Sequence, residues 1–197
     1  TMGVGEYGEE DVREAARAFT GWSVKGLDFY INPESHDAGD KVFLGQRGAF
    51  DGIQIIDQIL ARPQTSRFIA AKLYRFFVRD ELTPAAEVQL GERLRAQDFD
   101  IEAYLSELFL SEDFYASQGE HIKSPVELVV STYHKMGLTT VPGVPDFNVV
   151  TGALGQRLLH PPTVAGWSEG RSWITPSLLF ERGHFVLDVV IPDLHFV

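Results

Sequence analysis

Cysteine is absent from the 197 residues, which excludes disulfides, thiolate zinc sites and a cysteine nucleophile. It leaves the compartment open, because cysteine-free chains occur in the cytosol and outside it alike. Long apolar runs are also missing. The most apolar stretches, at 126–130 and 185–191, fall short of the roughly 18 residues that span a bilayer, so no membrane span is expected. Positive charge is scarce, with 17 Lys and Arg against 28 Asp and Glu, a net −11. A surface of that sign repels phosphate backbones and anionic membranes, and nucleic acid is not an expected partner. Familiar catalytic signatures are absent as well: there is no G-x-S-x-G, P-loop, H-E-x-x-H or dinucleotide fingerprint. His121, His134, His160 and His184 lack metal-ligand spacing and read as structural. No metal and no cofactor is expected.

What is present is a core. Hydrophobic residues make up 44% of the chain, with 14 Phe and 3 Trp, too many for disorder. The length suits a single domain, 1–197, with a Gly/Pro/Thr-rich candidate linker at 138–145. Helix punctuation is dense. Glu9, Glu10 and Asp11 precede a helical stretch that Gly21 ends, as the helix dipole and C-terminal glycine preferences dictate. Asp51 with Gln54 reads as a capping box, and so does Ser124-Pro125-Val126-Glu127, which adds a first-turn proline. Helices are further expected over 64–79, from Thr83-Pro84, from Asp100 to Phe109, over 146–159 and from Thr175-Pro176. Residues 22–45 differ. Trp22, Val24, Leu27, Phe29 and Ile31 nearly alternate, and Val42-Phe43-Leu44 follows a polar loop. The pattern predicts one β-hairpin with a long connection in an otherwise mainly α-helical domain.

Three constellations could carry chemistry. The loop Glu34-Ser35-His36-Asp37-Ala38-Gly39-Asp40-Lys41 crowds imidazole, carboxylates and an amine together, so His36, Asp37 and Lys41 are the catalytic candidates for acid–base work. The same loop could equally be a solvated turn whose Asp side chains bond local backbone. In the 64–79 helix Lys72, Arg75 and Arg79 share a face, with Arg67 on the next row; they could receive an anion or pair with the chain's own carboxylates. In 161–173, Trp167 and Trp173 lie near Arg157 and Arg171. The rings could stack on sugars or plug the core.

Taken in order, these segments resemble a bacterial family known as domain of unknown function 1800. The resemblance is carried by Gly3-Val4-Gly5-x-Tyr7 leading into Glu10-Asp11-Val12-x-Glu14-Ala15-Ala16-Arg17-Ala18-Phe19-Thr20-Gly21-Trp22. It continues through His36-Asp37-x-Gly39-x-Lys41-x-Phe43-Leu44-Gly45, Lys123-Ser124-Pro125-Val126-Glu127-Leu128 and Leu154-Gly155-Gln156-Arg157-Leu158. Pro161-Pro162-Thr163-Val164-Ala165-Gly166-Trp167 and Trp173-Ile174 complete it. Thr163 and Thr175 stand where the family usually has Asn, and the 191–197 tail has no counterpart. The resemblance implies a C-terminal half whose partner is a helical N-terminal half of the same protein. It also implies an extracytoplasmic location, periplasmic or secreted, and an exported sulfatase-like partner.

Two functions compete. One is a non-catalytic binding or assembly module; the other is a hydrolase-type enzyme or subunit acting on polysaccharide or another anionic polymer. For either, the expected ligand-binding groups are Arg67, Lys72, Arg75, Lys123, Arg157, Trp167 and Trp173. Lys123, directly before a capped helix start, is expected to join His36, Asp37, Lys41, Arg67 and Lys72 in one polar pocket. Far-ultraviolet circular dichroism should show the helical double minimum; a spectrum dominated by β signal would contradict the mainly α reading.

Overall fold

Local capping decides where most helices begin. The computed structural model describes residues 2–3, 5–143 and 146–191, so the 191–197 tail past Ile191 and part of the 138–145 linker lie outside the described residues. Helix α1 spans Glu9–Ala18, with Glu9, Glu10 and Asp11 in its first turn. Helix α2, Gly52–Ala61, opens on the expected box: Gln54 N donates to Asp51 Oδ1 at 2.9 Å, and Asp51 N donates to Gln54 Oε1 at 3.0 Å. Helix α3 is Pro63–Phe77. Thr83 caps α4, Pro84–Ala96, and Asp100 caps α5, Ile101–Phe109. A short α6, Glu112–Ala116, follows; five residues give no periodicity to read. Ser124 and Glu127 form the second box, at the start of α7, Pro125–Lys135. Helix α8, Phe147–Ala153, stops well before 159, because the chain turns through Gly155 at φ +99°. Thr175 caps α9, Pro176–Val190. The chain is mainly α-helical.

The β region divides differently from the expected single hairpin. Strand β1, Trp22–Lys25, pairs antiparallel with β2, Asp28–Ile31. Strand β3, Lys41–Phe43, pairs with β4, Gln46–Gly48. The strands within 22–31 and those within 41–48 therefore form two separate two-stranded sheets. Turn geometry explains this. Gly26 has φ +68°, and Leu44 and Gly45 have +48° and +81°, so each pair of neighbours closes through a two-residue primed turn. Pairing across the 32–41 loop would have cost more closure entropy.

Contacts gather into two units, one reaching to Phe77 and including Glu81–Tyr115, the other comprising Val78–Asp80 and the chain from Ala116 onward. In the first, Ala18, Phe43 and Ile55 are buried with Phe19, Phe50 and Ile59 against them, joining α1, β3 and α2. Helix α3 packs on α4 so closely that a Cβ on Gly91 would lie 2.7 Å from Arg67 Cα. Tyr104 of α5 is buried and donates to Ala70 O of α3 at 3.2 Å. In the second unit, Val129, Tyr133, Leu154, Phe185 and Val189 form the core, from α7, the end of α8 and α9.

Two glycine substitutions separate packing from helix propensity. Gly91→Ala should destabilise by about 1–3 kcal/mol, because the methyl meets backbone that cannot give way. Gly183→Ala in α9, with nothing within 4 Å of the new methyl, should stabilise by about 0.5–1 kcal/mol. Urea midpoints measure both; a Gly91→Ala protein as stable as the parent would contradict the packing described.

Candidate functional site

Helix α1 turns Asp11, Glu14 and Arg17, three residues apart, toward β3 and the loop before it. Leu44 N donates to Asp11 Oδ1 at 2.7 Å, and Val42 N donates to Glu14 Oε2 at 3.1 Å. The open edge of β3, whose N–H groups lack a strand partner, is thus satisfied by helix carboxylates. Arg17 then clasps the loop. Its Nε and Nη2 donate to the two Asp37 oxygens at 2.7 and 3.2 Å, and its Nη1 donates to Glu14 at 2.8 Å and to Asp40 O at 3.1 Å. This is the fork geometry in which guanidinium binds carboxylate most strongly.

The three catalytic candidates all sit in this clasp. Asp37 accepts from Arg17 and from Gly39 N at 2.9 Å. The Arg17 guanidinium, aided by the Gly39 amide, pulls its pKa down to about 2, which makes it a weak proton acceptor at neutral pH. Glu14 is lowered likewise, by the Arg17 hydrogen bond and then by Val42 N–H. Lys41 is 1% exposed and donates to Asp37 O at 2.6 Å and Gly39 O at 2.9 Å, so its ammonium closes the loop backbone. His36 Nδ1 lies 2.9 Å from Thr20 O. A carbonyl only accepts, so Nδ1 is the donor in this bond and Nε2 is the ring nitrogen left over. The group that orients His36 is therefore Thr20 O rather than Asp37. Arg17 was not among the sequence-based candidates. Its i, i+3 spacing from Glu14 was visible, but the bond across to Asp37 depends on how the chain folds back.

The ligand-binding candidates make separate contacts, each within its own unit. Lys72 Nζ lies 5.4 Å above the Phe68 ring, a cation–π contact. Arg75 pairs with Glu87 at 3.3 Å. Lys123, in the second unit, donates to Ser131 Oγ at 2.8 Å. Arg157 is exposed, Trp167 is half-buried, and Trp173 is buried in the second unit. Thr163, at the position where Asn is usual, ties its own loop by accepting from Ala165 N at 3.2 Å, and Thr175 caps α9. Arg67 lines a cleft of about 590 Å³ together with Arg62, Gln46, Gln58, Gln64 and Glu6. Among the described residues, no three His, Cys, Asp or Glu side chains gather as a metal set, and no helix is long and apolar enough to cross a membrane.

A family profile described as "Protein of unknown function (DUF1800)" matches residues 1–194. The chain belongs to this family. No curated protein and no solved structure matches it. The DUF1800 match embraces the clasp residues from Asp11 to Lys41 and both guanidiniums of the cleft.

Acid should loosen the clasp first. Asp37 titrates near 2 in the fold and at about 3.9 in an unfolded chain, so the unfolded state takes up its proton first as pH falls. Its contribution is whole above about pH 5 and declines toward pH 2. Asp37→Asn should be less stable at neutral pH and lose less stability over that acid range, read from urea midpoints at each pH. Lys41→Met, which strips donors from two carbonyls, should cost about 1–3 kcal/mol; unchanged midpoints would show that Lys41 is not a structural cation.

Proposed function

We propose that this DUF1800 chain is a non-catalytic binding or assembly module, acting outside the cytoplasm beside an exported sulfatase-like partner. The observation that carries the reading is uncovered apolar surface in the first unit. A groove of about 260 Å³ between α1 and α2 is lined by Met2, Val12, Phe19, Phe43 and Ile55. Val12, which lines it, is 54% exposed, and on α2 Ile53 and Ile56 are 54% and 40% exposed. Exposed apolar side chains beside a groove suit protein contacts. The clasp supports the same reading, since Asp37 and Lys41 are occupied in holding the loop. The periplasmic or secreted location and the partner rest on the family resemblance.

One observation favours the other reading, a hydrolase-type enzyme or subunit acting on polysaccharide. His36 commits only Nδ1, to Thr20 O, which leaves Nε2 as the ring nitrogen that could exchange a proton with a substrate. The two readings separate in one pair of measurements. The purified chain and the exported sulfatase-like protein of the same bacterium should co-sediment in analytical ultracentrifugation, and Val12→Asp with Ile56→Asp should abolish the complex. Absence of a complex, together with polysaccharide hydrolysis that His36→Ala abolishes, would replace the module by the enzyme.

A further inference from the structure

We propose that the cleft formed by the end of α2, the start of α3 and the β3–β4 turn binds an acidic sugar, a hydroxylated ring bearing a carboxylate. This goes beyond the module reading, which concerns a protein partner and different residues. The cleft's volume, about 590 Å³, falls within the range of small-molecule sites. Its charged groups are Arg62, Arg67 and Glu6, a net positive cleft on a chain of net charge −11. Arg17, Arg47, Arg75, Arg79 and Arg93 pair with carboxylates, and Arg95 and Arg182 bond backbone carbonyls. Among the described residues Arg67 has no hydrogen bond or ion pair, although its stem is pinned beneath Gly91. Arg62 Nη2 donates to Leu44 O at 3.1 Å, which fixes the guanidinium at the cleft wall with further N–H groups unused. Each planar fork matches a planar carboxylate, and both line the one cleft.

The carboxamides supply the rest. Gln46, Gln58 and Gln64 line the same cleft, and each both donates and accepts, as ring hydroxyls require. Gln58 Oε1 is buried with no donor among the described residues, so its carboxamide gains a partner by turning to meet a hydroxyl. Leu44 forms part of the wall with a left-handed φ of +48°, held there by Asp11 and Arg62.

Isothermal titration of the full chain with digalacturonate, neutral galactobiose, a sulfated galactobiose and inorganic sulfate tests this. Digalacturonate should bind at least about tenfold more tightly than each of the others. Arg62→Gln and Arg67→Gln, which keep the aliphatic stems, should each weaken it by about tenfold or more, as loss of a charge-assisted bond does. Arg47→Gln, outside the cleft lining, should leave it unchanged. If an arginine variant fails to fold, Gln46→Ala on the exposed β4 strand should still weaken binding. Equal affinity for galactobiose, for the sulfated sugar or for sulfate would overturn the proposal, as would full affinity in Arg67→Gln. The partner-complex experiment can fail without touching this result, and the reverse also holds.

Discussion

The Arg17 guanidinium is the group on which the arrangement of the first unit turns. The loop between β2 and β3 has no regular structure beyond a short 3-10 turn at Pro33–Ser35, so its backbone groups need partners from elsewhere. Arg17 draws in Asp37 and Asp40 O. Thr20 Oγ1 accepts from Asp37 N at 2.8 Å, and Lys41 meets Asp37 O and Gly39 O. With the loop held this way, β3 lies along α1, where Asp11 and Glu14 satisfy its open edge. Phe43 is then carried into the core beside Ala18 and Ile55. Half-buried charges give uncertain net stability but define one geometry, since each is costly to leave unpaired.

That arrangement changes the meaning of the residue types. His, Asp and Lys within six positions suggest catalysis, yet two of the three are consumed by the backbone and by Arg17. Arg67 is the converse case. Named from the sequence as an anion-binding candidate, it stands in a cleft without a carboxylate partner among the described residues. Function in this chain is better sought where a charged group has nothing to hold than where charged groups are most crowded.

How much could be read in advance follows from the range of each interaction. The boxes at Asp51/Gln54 and Ser124/Glu127, and the caps at Thr83, Asp100 and Thr175, are formed by residues within a few positions of one another, so they were legible. So was the DUF1800 membership, from motifs spread along the chain. The pairing of β1 with β2 and of β3 with β4 was less so, although Gly26 and Gly45 marked both turns. Leu44 hid the second turn, because a primed turn rarely accepts leucine.

The sequence by itself determined most of the helix starts and the mainly α class, because capping and amphipathic periodicity act over one or two turns; the five-residue α6 and the early end of α8 were not legible. Tertiary structure alone decided that Arg17 reaches Asp37 across 20 residues, that Lys41 is buried, and that Arg62, Arg67 and Gln46 line one cleft. Those facts depend on where α1, α2, α3 and the two hairpins pack. Packing is fixed by the summed fit of many distant side chains, which no local pattern records.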